Sequence, residues 1–111
     1  MRLVTANYLF LPGFPLLKFG QVKLQNRIIV DVIDTGGKIC EKPGLEFYGG
    51  LLVAGGVQGQ IIWETGDDLL ERLSFFYREN PGKVCVGLCL IVGADLLDFK
   101  WIKSSGITRL I

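Results

Sequence analysis

The first part of the chain alternates between short apolar runs and turn-forming residues, a pattern typical of β-strands. The segment 2–10 is rich in branched and aromatic residues and predicts a strand. The prolines of 11–15 predict a turn. In 21–25 the apolar positions alternate with glutamine and lysine, which indicates a half-buried strand with its polar residues turned outward. This strand is predicted to form a hairpin with 27–35.

Glycines divide the next apolar stretch. The segment 45–56 predicts two short strand pieces broken at Gly49 and Gly50. A second β region is predicted nearer the end of the chain, at 83–92, 100–103 and 107–111. Between these strands, 94–99 predicts a helical turn.

The middle of the chain has the one pattern that favours a helix, over 67–80. Its apolar residues recur at helical spacing and form one stripe: Leu69, Leu70, Leu73, Phe76 and Tyr77. Asp68 and Glu71 have the spacing of a capping box, and Asn80 with the following Pro–Gly ends the helix. We expect Leu69, Leu73 and Phe76 to lie on its buried face.

The composition indicates a domain whose excess apolar surface is covered by contact with another protein. Half of the residues are apolar, the mean hydropathy is +0.41 and the net charge is only +1. Without a basic patch, nucleic-acid binding is not expected. No apolar run reaches the roughly 18 residues of a spanning helix, and the first residues lack a signal-peptide pattern. We therefore expect a cytoplasmic protein that does not enter the membrane.

The cysteines are expected to be free thiols. There are three of them, Cys40, Cys85 and Cys89, and an odd number favours a reducing compartment. Cys85 and Cys89 are four residues apart in a predicted strand, so they lie about 13 Å apart. That distance excludes a disulfide or a shared metal, and both are expected to be buried like small hydrophobic residues.

The chain has few groups for catalysis. It contains no histidine, so the usual general base and the commonest metal ligand are missing. Asp67, Asp68 and Glu71 cluster at the predicted helix start, where capping is their expected role. The glycines of 55–59 lack the lysine and hydroxyl residue of a P-loop. We expect Trp63 and Trp101 to anchor the core or an interface.

Two blocks, taken together, resemble the amidohydrolase superfamily. The first, 4–56, contains NRIIVDVID, a glycine turn and GLEFYGGLLVAGG, and is similar to the opening of the deaminase and chlorohydrolase-like branch. The second, 79–111, contains ENPGKVCVGLCLIVGADLLDF and is similar to the end of these enzymes. In that family a catalytic (β/α)8 barrel separates the blocks, which fold together as a composite β-sandwich. The resemblance implies a mainly-β fold: a β-sandwich formed from the N- and C-terminal blocks, with one helix packed on it.

The resemblance also implies that the catalytic machinery is missing. Aligning LLVAGG on the family segment that enters the barrel places the His-x-His metal ligands at Gln60 and Ile62. Isoleucine cannot bind a metal, and glutamine replaces imidazole poorly. A barrel takes roughly 250 residues, whereas the loop and helix of 57–82 alone join the blocks here. No catalytic, cofactor-binding or metal-binding residue is therefore expected, and no cofactor.

The sequence thus predicts a single composite domain, 1–111, with an N-terminal block (1–56), a replacement for the barrel (57–82) and a C-terminal block (83–111). Its expected function is that of a non-catalytic structural or interaction domain. One alternative is a subunit or remnant of a metal-dependent hydrolase acting on C–N bonds, with a barrel supplied in trans. Another is the binding of a small apolar ligand beneath the helix.

Self-association is the expected partnership, because the apolar surface that a barrel would cover remains on the chain. Sheet edges, including the end of the chain at 107–111, would add to this tendency. A homodimer with two-fold symmetry is the default, and another protein partner is the alternative. The candidate interface residues are Leu9, Phe10, Phe14, Leu16, Phe19, Trp63 and Trp101.

Overall fold

Seven strands and one α-helix make up the described part of the fold. A computed structural model describes residues 1–83 and 86–111. The regular elements are, in chain order, β1 (Arg2–Phe10), β2 (Leu17–Lys18), β3 (Gln21–Gln25), β4 (Ile28–Ile33), β5 (Leu45–Ala54), α1 (Leu69–Glu79), a 3-10 turn (Pro81–Lys83), β6 (Leu88–Val92) and β7 (Gly106–Arg109). The predicted mainly-β fold with one helix is confirmed.

All seven strands belong to one sheet. Their order is β4-β3-β1-β5-β6-β7, and the short β2 pairs with β1. The pairing of β1 with β5 is parallel, whereas the other pairs are antiparallel. Leu51 pairs with Ile91 and Ala54 with Leu88, so β5 and β6 join the N- and C-terminal blocks. The expected hydrogen-bonded pairing between the two blocks is therefore confirmed.

The sheet curls back towards its own edge. Ile28, at the start of β4, forms an isolated antiparallel bridge with Val86, and the Gly87 amide donates to the Arg27 carbonyl at 2.6 Å. These contacts bring the first strand of the sheet order against the segment before β6. The two packed sheets of the expected sandwich are not found in the described residues, because β1 pairs with both β3 and β5 and so joins all the strands into one open sheet.

The glycine pair in β5 does not break the strand, which runs without interruption from Leu45 to Ala54. The predicted division at Gly49 and Gly50 is wrong. Gly50 has a φ of +136°, and a Cβ there would collide with the Ile91 carbonyl. Glycine is needed here because it lets β5 approach β6 closely, at the point where the register of β5 against β1 shifts.

The second β region is shorter than predicted. Strand β6 begins at Leu88, and Lys83 lies in the 3-10 turn; residues 84 and 85 are outside the described part. The segment 100–103 is not a strand, although Lys100 forms isolated antiparallel β-bridges with Asp68 and with Asp95. The prediction for 107–111 is confirmed in part, because β7 ends at Arg109.

The helix begins and ends close to the predicted positions. The Asp68 carboxylate accepts a hydrogen bond from the Glu71 amide at 2.9 Å, and the Asn80 amide donates to the Phe76 carbonyl at 3.0 Å. The buried residues of α1 are Leu69, Leu73, Phe76 and Tyr77. The predicted buried face is confirmed, so the apolar stripe fixes α1 on the core.

One tyrosine fastens α1 to the ends of the parallel strands. The Tyr77 hydroxyl donates to the Phe10 carbonyl at 2.6 Å and accepts from the Ala54 amide at 3.1 Å. Phe10 ends β1 and Ala54 ends β5. A single buried hydroxyl therefore satisfies a backbone group on each strand where the ladder stops.

At the other end of the parallel pair, a surface ion pair links β1 and β5. Arg2 donates from Nε and Nη2 to the Glu46 carboxylate at 2.9 and 2.6 Å, and the Tyr48 hydroxyl donates to Glu46 at 2.9 Å. Hydrogen bonding from Arg2 is the main reason that the pKa of Glu46 falls from 4.5 to about 2. The charged form of Glu46 is therefore favoured in the folded state.

This pair predicts a pH-dependent contribution to stability. Because the folded-state pKa is lowered, the contribution is present above about pH 4.5 and disappears as the pH falls towards 2. The pair is exposed, so Glu46→Gln should cost only about 0.5 kcal/mol at pH 7. Urea denaturation should show this difference at pH 7 and almost none at pH 2. A difference that does not change with pH would contradict the assignment.

Candidate functional site

The acidic residues at the helix start serve local structure. The Asp68 carboxylate caps α1, as described above, and lies 3.5 Å from the Lys100 ammonium. Hydrogen bonding to the Glu71 amide is the main cause that lowers the pKa of Asp68. Asp67 accepts from the Glu64 amide at 2.9 Å, and Asp95 accepts from the amides of the turn that follows it. The expected capping role is confirmed for Asp68.

The positions aligned with metal ligands are not arranged for metal binding. Ile62 is 85% exposed. Gln60 lies in an exposed turn, and its backbone N–H donates a hydrogen bond to the Val57 carbonyl at 3.1 Å. Within the described ranges, no group of three or more His, Cys, Asp or Glu residues is placed to hold a metal ion. The segment 55–59, whose glycines were compared with a P-loop, makes a structural contact: the Gly55 amide donates a hydrogen bond to the Gly87 carbonyl at 2.9 Å.

The cysteines fall into different environments. Cys89 is a buried free thiol, as predicted, and Cys40 is an exposed free thiol. The prediction for Cys85 concerns a residue outside the described part. No helix in the described ranges combines the length and apolar character needed to cross a membrane.

The candidate interface residues differ in accessibility. Leu9 is wholly buried in the core, so its inclusion in the predicted interface is wrong: it lies on the inner side of β1. Phe14 is exposed, while Phe10, Leu16 and Phe19 are partly buried. Leu9 therefore supports the fold from the buried side of β1, whereas Phe14, in the turn, remains accessible.

The rings of Trp63 and Trp101 stack on each other beside α1. They are parallel, with centroids 4.7 Å apart and an interplanar angle of 6°. The Trp101 amide donates to the Asp67 carbonyl at 2.9 Å, and the guanidinium of Arg72 lies 5.9 Å from the Trp63 ring centroid. Arg72 also donates to the Ile62 carbonyl at 2.9 Å. These contacts hold the segment before α1 against the helix.

A groove runs between that segment and the outer face of α1. We call it the helix groove; it has a volume of about 640 Å3, and its main lining residues are Ile61, Ile62, Glu71, Arg72, Phe75 and Arg78. Phe75 is 57% exposed, and the Arg78 guanidinium lies 5.9 Å from its ring centroid. The groove therefore combines accessible apolar side chains with charges of both signs.

A second cavity lies where β3 and β5 begin, beside the segment 38–42. We call it the Gln21 cavity; its volume is about 350 Å3, and its main lining residues are Phe19, Gln21, Ile39, Cys40, Leu45 and Phe47. Thr5, Glu41 and Lys42 complete the lining. Phe47 and Ile39 are exposed, so apolar side chains are accessible around the cavity.

Gln21 is the unusual residue of this cavity. The alternation in β3 predicts that Gln21 faces outward, but only 1% of the residue is exposed. Its Nε2 donates to the Cys40 carbonyl at 2.7 Å, which ties the segment 38–42 to the sheet. Its Oε1 is buried and has no hydrogen-bond partner. The strand pattern identified Gln21 as polar, but the covering segment is distant in sequence and could not be inferred from that pattern.

Comparisons of the chain with protein-family models, curated proteins and solved structures found no match.

Proposed function

We propose that this protein is a non-catalytic interaction domain that binds a second copy of itself through the helix groove. The observation that carries the proposal is the exposure of Phe75 and Ile62 between charges of opposite sign on one surface. Accessible apolar side chains with a charged border are typical of protein interfaces. The proposed location is the cytoplasm, in keeping with the free thiols of Cys40 and Cys89.

The charges on α1 favour a second copy as the partner. Glu71, Phe75 and Arg78 are spaced i, i+4 and i+7, so they share one helix face. If two α1 helices pack antiparallel about a two-fold axis close to Phe75, Glu71 approaches Arg78 of the partner subunit, and the reverse pair forms by symmetry. The two ion pairs set the orientation, while the apolar side chains supply most of the affinity.

The sheet edges are less suited to this association. At edge strand β4, Lys23 pairs with Asp31 and Leu24 with Ile29, which leaves Val30 as an extra residue in a bulge. Asp31 is exposed, and edge strand β7 has only four residues. Bulges, charges and short strands all oppose edge-to-edge pairing. These features favour the helix groove over the sheet edges as the dimer interface.

The sequence resemblance is in keeping with this role. In the amidohydrolase superfamily the similar small domain packs against a barrel and does not itself perform the reaction. Here the helix groove is formed by the segment 57–82, which stands where the barrel would be inserted, and it offers the surface that meets a second copy. We expect the dimer to bury above about 1,000 Å2 in total, as a specific interface requires.

Light scattering tests the proposal directly. The wild-type protein at micromolar concentration should have at least twice the chain mass of 12.3 kDa. Phe75→Glu should weaken the dimer at least tenfold, because it places a charge at the centre of the interface. Phe47→Glu is the matched control, since Phe47 is 53% exposed but lies in the other cavity. A wild-type monomer, or a dimer unaffected by Phe75→Glu, would contradict the proposal.

A charge exchange tests the orientation of the two helices. Glu71→Arg alone should weaken the dimer, because two arginines would then face each other in each symmetric pair. Adding Arg78→Glu to the same chain should restore the dimer by exchanging the two charges. Both residues are exposed, so neither change should prevent folding. No recovery in the double variant would exclude the antiparallel arrangement.

A further inference from the structure

We infer that the Gln21 cavity binds a small, largely apolar, uncharged molecule that donates a hydrogen bond from N–H or O–H to Oε1 of Gln21. Two independent observations support this site. One is an open cavity with apolar walls, and the other is a buried acceptor without a partner on a residue that lines it.

The cavity has the size and lining of a small-molecule site. Its volume of about 350 Å3 lies within the range of roughly 300–1,000 Å3 that is usual for such sites. Phe19, Ile39, Leu45 and Phe47 supply aromatic and aliphatic surface. Small-molecule sites generally combine walls of this kind with a few polar groups that fix the orientation of the ligand.

The geometry around Gln21 identifies the missing group as a donor. Nε2 is committed to the Cys40 carbonyl, so reversing the amide would place two acceptors against each other. The hydroxyl of Thr5, which also lines the cavity, donates to the Gly20 carbonyl at 2.7 Å. Its proton is therefore not available to Gln21, whose Oε1 keeps its full capacity to accept.

The balance of charge favours an uncharged ligand. Glu41 and Lys42 line the cavity with opposite charges, and the free acceptor belongs to a neutral amide. Buried polar atoms are nearly always hydrogen-bonded in native proteins, because losing water without gaining a partner destabilises the fold. That cost is already present in the folded protein. A ligand donor therefore gains a hydrogen bond without desolvating the acceptor again.

Indole and 1-methylindole are suitable probes, because they differ chiefly in the N–H donor. Each is titrated into the full-length protein while amide and side-chain NH2 signals are followed by NMR. Indole should bind about tenfold more tightly than 1-methylindole, with shifts at Gln21 and in the segment 38–42. Equal affinities, shifts confined to the helix groove, or no binding of either probe would overturn the inference.

Variants separate the hydrogen bond from the apolar walls. Gln21→Met removes the acceptor at similar volume and should abolish the preference for indole. Phe47→Ser changes an exposed side chain, so it should fold and should weaken both probes about equally. Leu97→Ser, at a side chain that is 93% exposed and lines neither the Gln21 cavity nor the helix groove, should leave both affinities unchanged. A persistent preference for indole in folded Gln21→Met would show that another group accepts the hydrogen bond, and would overturn the assignment.

Discussion

Replacing Leu73 with alanine is expected to lower the free energy of unfolding by about 2–5 kcal/mol. Leu73 lies in the middle of α1 and is wholly buried, at 0% exposure. Alanine keeps the helix propensity high, so the loss comes from the apolar contacts and from the cavity left behind. Reversible urea denaturation, followed by circular dichroism, measures the difference.

Leu97→Ala provides the matched control for this substitution. Leu97 is 93% exposed, so the same change in side-chain size removes almost no buried surface. Its effect should remain within about 0.5 kcal/mol. Similar small effects for Leu73→Ala and Leu97→Ala would mean that α1 does not pack on the sheet as described.

Replacing Tyr77 with phenylalanine is expected to cost about 2–4 kcal/mol, although the ring is retained. The change removes the hydroxyl that serves both the Phe10 carbonyl and the Ala54 amide, and buried backbone groups without partners are costly. Burial raises the pKa of Tyr77, so the hydroxyl remains protonated and able to donate throughout the neutral range. The cost should therefore be the same at pH 6 and pH 9.

The control for this second substitution is Tyr48→Phe. The Tyr48 hydroxyl donates to Glu46 beside an exposed ion pair, where water can replace it. Its loss should cost less than about 1 kcal/mol. If Tyr77→Phe is no more destabilising than Tyr48→Phe, the hydroxyl of Tyr77 does not hold α1 to the strand ends.

The elements that could be predicted from the sequence are those with local signals. The helix is specified by the spacing of Leu69, Leu73 and Phe76 and by the cap at Asp68, all within a dozen residues. Strand β1 is likewise specified by its branched and aromatic composition. Such signals are local, because helical and strand periodicities act over neighbouring residues.

Strand partners are set by distant parts of the chain, and here the sequence was less informative. The parallel pairing of β1 with β5 places Leu3 beside Leu45 and Leu9 beside Leu52. The local pattern predicts a break at Gly50, because the role of this glycine depends on the approach of Ile91 from β6, which the pattern does not contain. A local pattern cannot distinguish a glycine that ends a strand from one that admits a neighbouring strand.

The two candidate sites were also only partly predictable. The expectation that the apolar excess includes accessible side chains fits the exposure of Phe75 and Ile62, but the groove that joins them depends on the fold. Gln21 belongs to the polar positions of an alternating strand, which predicts that it is exposed, yet the segment 38–42 covers it. Its unsatisfied acceptor arises from tertiary packing and has no signature in the sequence.

The pairing of Ala54 with Leu88 has an evolutionary consequence. The segment 55–87 leaves and re-enters the sheet at adjacent residues of two hydrogen-bonded strands. The entropy cost of closing such a loop rises only with the logarithm of its length. Residues can therefore be added in the exposed turn at 58–60 of this segment with little penalty to the sheet. The helix within the segment cannot be lost in the same way, because Leu73 and Tyr77 on its buried face belong to the core.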